Sequence, residues 1–361
     1  MKSKGITAVI RSMGGGGAER VLTNMLNYWA EQGRPVSLIT NTLADTHVYA
    51  LHPSIRSICI PPINIPNNLD DCPWDVIHLR QAITMERNDT VISFMEKSNI
   101  PTIMATLGLP VRVIISERID PRTQTKYSEY KKNLARKLYP FADALVVQTQ
   151  SVKAWAEEFM EEEKVSVIRN MVTLEDSYIS PPFPPPQKFI CCMGRITKNK
   201  GLPGLVENLP KIFEKFPDHH LVILGDGEDQ KALEAQVAAL NLGKKVHILG
   251  FLSNAHSILK KAEVFVLPSL CEGFPNALIE AMVLGVPSIS FDCPSGPSEI
   301  IDHEKNGLLI PEQNYEALTS AIMDLLDSPK KRANLSRNAK IWVQSECELN
   351  MIMEKWNKLC W

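Results

Sequence analysis

A chain of 361 residues, 44% apolar and 22% charged, is long enough for two cores and has the balance of an ordinary soluble globular protein. Its net charge of −2 gives no argument for nucleic-acid binding, and no run approaches the roughly 20 apolar residues that span a bilayer. The eight cysteines contain no C-x-x-C pair, so reduced thiols in a cytosol are expected rather than a zinc site or a disulfide framework.

Ile6 to Ile10 reads as a buried strand, too short in its apolar run for a signal peptide. Met13-Gly-Gly-Gly-Gly-Ala-Glu-Arg20 follows, then a helix through Ala30 and a strand from Val36 to Thr40, a βαβ start. The loop is not a dinucleotide fingerprint, because Glu19 or Arg20 stands where the third glycine is required. Asn41 to Asp75 is turn-rich, with Pro53, Pro61, Pro62, Pro66 and Pro73. A helix from Val76 to Arg87, a strand from Thr90 to Phe94 and a helix from Asn99 to Leu107 come next. The strand Val111 to Ser116 ends in Glu117-Arg118-Ile119-Asp120-Pro121, and charged residues at such a strand end lie where open α/β sheets bind ligands.

Lys126 to Phe141 predicts a helix with Tyr127, Tyr130, Leu134 and Leu138 on one face. Lys126, Lys131, Lys132, Arg136 and Lys137 take its margins and the opposite side. It is either a docked surface helix or one that presents cations to an anionic membrane or a pyrophosphate-linked acceptor. Ala144 to Gln148 reads as a strand, Ser151 to Glu162 as a helix and Val165 to Arg169 as a short strand. Ile179-Ser-Pro-Pro-Phe-Pro-Pro-Pro-Gln187 excludes helix and central strand and predicts a stiff linker. The domains expected are therefore 1–178, with the C-terminal helix 345–361 packed back on it, and 188–344, joined by 179–187.

The second half opens with a strand running into Gly194-Arg195, with Lys200-Gly201 before a helix. Two cations five positions apart on such a loop suit a diphosphate. His220 to Leu224 is a strand, and Asp226 to Asp229 read as acids capping the helix Gln230 to Ala239. Val246 to Leu249 is a strand before Gly250-Phe251. Val264 to Pro268 leads into Ser269-Leu-Cys-Glu-Gly-Phe-Pro-Asn-Ala-Leu-Ile-Glu-Ala-Met282, where Asn276 is expected to cap a helix beginning near Ala277. Free amides at that helix start would take an anion, leaving Glu272 and Glu280 for hydroxyls on either side of it. That layout matches ribose, diphosphate and hexose. Val286 to Asp292 is a strand, and Tyr315 to Leu326, Pro329 to Gln344 and Glu348 to Leu359 are helical. Alternating strands and helices in both halves predict an α/β protein of two doubly wound, Rossmann-like domains facing a cleft.

Glu272-x7-Glu280 with Gly-Phe-Pro inside it, Gly-Arg-x4-Lys-Gly from Gly194, and Asn306-Gly-Leu-Leu-Ile-Pro311 resemble the retaining GT-B glycosyltransferases of the glycogen-synthase-like family 4, or group 1. The stretch from Ser116-Glu-Arg118 to Tyr139-Pro-Phe-Ala-Asp143 is similar to bacterial glycan-assembly transferases, the processive GalNAc transferases of N-glycan assembly among them. The resemblance implies catalytic roles for Arg195, Lys200 and Glu272. It implies donor binding by Gly16, Gly17, Phe251, Gly273, Phe274, Pro275, Asn276, Ala277 and Glu280. Acceptor binding falls to Glu19, Arg20, Arg118, Lys131, Lys132, Arg136 and Lys137. Many family members carry histidine where this chain has Arg118, so its location carries over and its chemistry does not. The partners implied are a nucleotide sugar, with UDP as nucleotide, a polyprenyl-diphosphate-linked saccharide and an anionic membrane surface at the inner face of the plasma membrane. No cofactor or metal is expected, since no D-x-D motif is present. A sugar-nucleotide epimerase of the same fold and a non-catalytic nucleotide-sugar binding protein remain open as alternatives.

Overall fold

The computed structural model describes residues 4–41, 48–61, 75–123, 129–174 and 184–361. The chain divides into two units, Met1–Met171 with Leu349–Trp361, and Val172–Glu348. The predicted linker lies largely outside the described residues.

The first unit runs β1 (Ile6–Val9), α1 (Gly17–Glu31), β2 (Val36–Thr40), β3 (Arg56–Cys59), α2 (Val76–Glu86), β4 (Thr90–Phe94), α3 (Glu96–Thr106), β5 (Arg112–Ser116), α4 (Glu129–Leu138), β6 (Ala144–Val147), α5 (Gln150–Ala156) and β7 (Val165–Val167). Its strands form one parallel sheet in the order β3-β2-β1-β4-β5-β6-β7. Thr-Val-Ile-Ser-Phe in β4 and Ala-Leu-Val-Val in β6 are buried throughout, as strands covered on both faces must be. The order reverses between β1 and β4, so the loops after these strands open a crevice at the carboxyl edge of the sheet.

The second unit continues with β8 (Phe189–Met193), α6 (Leu202–Lys215), β9 (His220–Leu224), α7 (Gln230–Ala239), β10 (Val246–Ile248), α8 (His256–Leu259), β11 (Val264–Leu267), α9 (Asn276–Val283), β12 (Ser288–Asp292), β13 (Leu308–Pro311), α10 (Tyr315–Asp327) and α11 (Pro329–Glu346). Its parallel sheet has the order β10-β9-β8-β11-β12-β13, with the reversal between β8 and β11. α6 buries Leu202, Leu205, Val206, Leu209, Ile212 and Phe213, a helical stripe against this sheet.

The last helix, α12 (Leu349–Cys360), belongs to the first unit. Ile352, Met353, Trp356 and Cys360 repeat at helical spacing and are buried with Trp29, Phe94 and Ile114. Trp356 stacks on Phe94 at 6.0 Å between ring centroids, and the Trp29 indole Nε1 donates to Asn357 Oδ1 at 2.8 Å. Burying each large apolar side chain here stabilises the unit by roughly 1.5–3 kcal/mol.

Several expectations change in detail. The turn-rich stretch contains a strand, β3, whose exposed edge position leaves it without an apolar run. α3 starts three residues earlier than its pattern suggests, because Met95 enters at φ 68 and turns the chain directly into the helix. α5 ends at Ala156 rather than Glu162. Asp229 occupies the N-cap of α7, where its side chain makes no capping bond and stands only as a charge at the helix start.

Candidate active site

Within the second unit, β8 and β11 are neighbours, with Val264 beside Ile190 and Phe265 beside Cys191. Their following loops therefore leave the sheet together. Arg195 and Lys200 line one pocket with Met193, Gly194, Pro268 and Ser269. Two backbone constraints fix the loops. Gly201 sits at φ 63, where a Cβ would come within 1.9 Å of the Pro268 carbonyl oxygen. Gly225, at φ 138, would place a Cβ 2.0 Å from the Gly194 carbonyl oxygen. Only glycine allows these backbones so close. The Leu270 amide donates to the Asn199 carbonyl at 2.8 Å and ties the two loops further.

Lys200 Nζ lies 2.6 Å from Glu272 Oε1, with the two side chains 26% and 10% exposed. Arg195 is exposed on the same loop. Glycine-enforced loop contact thus brings Lys200 to Glu272, 72 positions away, and leaves Arg195 in the same pocket as Lys200. The arrangement gives one lysine to a carboxylate and to any incoming anion at once.

Beyond Glu272, Gly273, Phe274 and Pro275 are buried and Ala277 is half-buried in the first turn of α9. Asn276 is that helix's first residue and does not cap it. Pro275 holds the N-cap position at φ −70, and its own side chain makes no capping bond. Proline fixes φ near this value, so it displaces the cap one residue upstream. Glu280 is only 2% exposed, and its Oε2 meets His256 Nε2 at 2.8 Å. Sequence reasoning missed His256. It lies 24 residues before its partner, and no spacing rule connects them. Phe251 is 48% exposed on the loop after β10.

In the first unit, Gly16 is the N-cap of α1 and Gly17 its first residue. A Cβ on Gly16 would lie 2.3 Å from the Glu19 carboxylate, so this side chain folds back over the glycine. Arg20 follows within the first turn, its amide bonded to the Gly16 carbonyl at 3.1 Å. Around the ends of β4, β5 and β6 lies a buried polar cluster. Glu117 accepts from the Tyr139 hydroxyl and from Asn99 Nδ2, the latter at 3.4 Å. Burial, opposed by these hydrogen bonds, pushes its carboxyl up to about 8. Asp120 is clamped by Arg122, with Nη2 to Oδ2 at 2.7 Å. Arg118, 6% exposed, stacks over Phe94 at 4.5 Å and donates to Asn170 Oδ1 and to Ser116 Oγ, the latter at 3.4 Å. Burial brings its guanidinium down to about 9.

The basic helix is rotated relative to its expected face. Lys131 and Ala135 are buried, while Tyr130 is 75% exposed and Tyr127 lies outside the described residues. The aliphatic stem of a lysine can cover apolar surface, which puts Lys131 inside. Lys132 pairs with Glu129 at 3.0 Å and Arg136 with Glu158 at 2.9 Å, leaving Lys137 and Arg136 as the exposed cations. No helix among the described residues is long and apolar enough to cross a membrane, and none of their side chains group as a metal-binding cluster.

Two parallel, doubly wound units, the second with cations and a carboxylate at its strand ends, have the architecture of the GT-B fold. Solved structures agree on that fold. Sucrose-phosphate synthase from Thermosynechococcus elongatus matches with a TM-score of 0.85 at 20% identity, over 99% of this chain and 98% of that one. Anabaena HepE in complex with UDP and glucose matches with 0.83 at 18% identity, over 98% of each chain. The model for glycosyl transferases group 1 matches residues 176–342, and that for glycosyltransferase family 4 matches residues 15–176. A Campylobacter jejuni protein is 28% identical over 98% of this chain and 97% of its own length. It is the GalNAc-alpha-(1->4)-GalNAc-alpha-(1->3)-diNAcBac-PP-undecaprenol alpha-1,4-N-acetyl-D-galactosaminyltransferase. A second from the same organism, 26% identical over 92% of both chains, is an N-acetylgalactosaminyltransferase whose name carries a diphospho-undecaprenol acceptor. The chain belongs to the group 1, family 4 glycosyltransferases, and it is an enzyme of that class.

Proposed function

We propose that the protein moves a hexose, with retention at the anomeric carbon, from a UDP-sugar such as UDP-GalNAc, UDP-Gal or UDP-Glc to a hydroxyl of a polyprenyl-diphosphate-linked saccharide in the synthesis of a cell-surface polysaccharide or glycan. The observation that carries this is a pocket at the reversal point of the second sheet lined by Arg195 and Lys200, with Lys200 paired to Glu272. The second unit is then the donor domain and the first the acceptor domain. Departure of the nucleotide builds negative charge on a diphosphate. Arg195, Lys200 and the start of α9, with Gly273 to Ala277, would stabilise that charge as fixed groups that need not reorganise. Glu272 would hold sugar hydroxyls and Glu280 the ribose hydroxyls, with the loop at Phe251 beside the base. The leaving phosphate would help deprotonate the acceptor on the same face of the sugar.

The names of the two Campylobacter relatives support an undecaprenyl-diphosphate acceptor. Glu19, Arg20 and Arg118 would frame it in the first unit, with Gly16 and Gly17 serving the donor, and Lys132, Arg136 and Lys137 would dock the lipid at the cytoplasmic face of an anionic membrane. Lys131 drops out of that role because its side chain is buried. The test is incubation with a panel of nucleotide sugars and polyprenyl-diphosphate saccharides in EDTA, followed by mass and linkage analysis. A new α-linked hexose on the lipid-linked acceptor is expected. An altered nucleotide sugar formed without acceptor, no turnover of any donor, or activity only after Mg²⁺ or Mn²⁺ is restored would each refute its part of the reading.

A further inference from the structure

The first unit holds a buried cation that meets no counter-charge among the described residues. Arg118 is 6% exposed, and no carboxylate among the described residues pairs with it. The two acids nearest in sequence are committed elsewhere. Glu117 accepts from Tyr139 and Asn99, and Asp120 is held by Arg122 at 2.7 Å. What surrounds the guanidinium is neutral: the Phe94 ring face, Ser116 Oγ, Asn170 Oδ1 and the amide of Gln148. With that amide turned to satisfy both its ends, Gln148 donates to the Arg118 carbonyl at 2.9 Å and accepts from Nη2 at 3.1 Å. Arg118 Nε remains buried without a hydrogen-bond partner.

An arginine charge cannot be shed at neutral pH, and an uncompensated buried charge is costly to a fold. Such a group is tolerated where a ligand completes it. Arg118 follows β5, at the carboxyl edge of the sheet and one strand from the reversal between β1 and β4, where open α/β sheets bind ligands. Phe94, under the guanidinium, is fixed from behind by Trp356, so the cation is held in place before any ligand arrives. Planar arginine with an unused N–H suits an oxyanion acceptor better than a neutral hydroxyl.

We infer that Arg118 is the cation of an anion subsite in the first unit and that its ligand is a diphosphate. The choice of diphosphate rests on the proposed function, in which both substrates carry one. The donor's and the acceptor's present the same chemistry to a guanidinium, and the experiment separates them.

Arg118→Met and Arg118→Gln are made in the full chain, and titration calorimetry is run with UDP and with farnesyl diphosphate. Loss of one charge-assisted contact should weaken the recognised diphosphate by about 10- to 100-fold. A loss confined to farnesyl diphosphate assigns the acceptor, and one confined to UDP assigns the donor. Inorganic pyrophosphate, titrated into Arg195→Ala/Lys200→Ala protein with and without Arg118→Met, reads the subsite even if no sugar transfer is found. Because the cation lacks a counter-charge, both variants should melt no lower than the wild type in ligand-free buffer. Wild-type affinity of the variants for all three probes overturns the inference. Failure of both variants to fold also overturns it, since the guanidinium would then be structural.

Discussion

Replacing Glu272 by glutamine tests whether the lysine–carboxylate pair is a donor-binding device or an ordinary ion pair. At 2.6 Å the gross attraction between the two charges is about 6 kcal/mol if the effective dielectric constant is about 20. Desolvation and the 26% exposure of Lys200 offset most of it, leaving about 1–3 kcal/mol of coupling, as is usual for touching residues. A UDP diphosphate must share or displace that contact. Glu272→Gln therefore releases Lys200 to the phosphates, and UDP should bind as tightly as to wild type or up to about tenfold tighter. Sugar transfer should nevertheless fall by at least about 100-fold, the scale of one lost transition-state contact. Lys200→Met should weaken UDP by about 10- to 100-fold, and adding Glu272→Gln to it should recover part of that loss by removing the stranded carboxylate. Calorimetric UDP titration of the four proteins and a transfer assay supply the numbers. A tenfold weaker UDP affinity in Glu272→Gln, or strict additivity in the double variant, would refute the reasoning.

Gly201→Ala should cost at least about 2 kcal/mol in denaturant unfolding, because a Cβ at φ 63 also strikes the Pro268 carbonyl, and an unchanged midpoint would contradict that geometry. Glu117 keeps its proton to about pH 8 in the fold but loses it near 4.5 when unfolded, so its contribution is complete below pH 4.5 and disappears as pH rises toward 8. At about 1.4 kcal/mol per pH unit, Glu117→Gln should gain on wild type by roughly 2–3 kcal/mol between pH 6 and 8, and parallel stability profiles would count against it. His256→Ala leaves Glu280 without its imidazole in a buried setting and should lose about 1–3 kcal/mol of stability together with UDP affinity, which urea unfolding and UDP titration would reveal or deny. Removing Lys132, Arg136 and Lys137 together should weaken binding to anionic vesicles by about 2–3 kcal/mol or somewhat less, as Lys132 and Arg136 already pair with Glu129 and Glu158; unaltered binding would return α4 to the role of a docked surface helix.

The parallel sheets were legible because their strands are short apolar runs, buried on both faces and separated by helical patterns, as from β4 to β6. Arg195, Lys200 and Glu272 were legible as motif residues on loops after strands, although nothing in their spacing said that the lysine and the carboxylate touch. That contact depends on β8 lying beside β11 and on a glycine at 201, both tertiary facts. β3 was illegible because an edge strand with exposed faces has no apolar signature. The rotation of α4 escaped because Lys131 is charged by composition yet buried by its stem, and a polarity pattern counts only the charge. The Glu117 and Arg118 surroundings were out of reach for a different reason, as their partners Asn99, Tyr139 and Asn170 come from three separate segments.

That α12 belongs to the first unit sets the order in which the protein can be completed. A chain made from its N-terminus delivers β1 to β7 first, then all of residues 172–348, and only afterwards the helix carrying Ile352, Met353 and Trp356. At about 5–20 residues per second, the wait is on the order of ten to tens of seconds. Throughout it, the face formed by Trp29, Phe94 and Ile114 lacks its apolar cover, while the second unit has everything it needs to close. The first unit to be synthesised is thus the last to mature, and its unfinished surface is where a nascent-chain chaperone would find its longest opportunity.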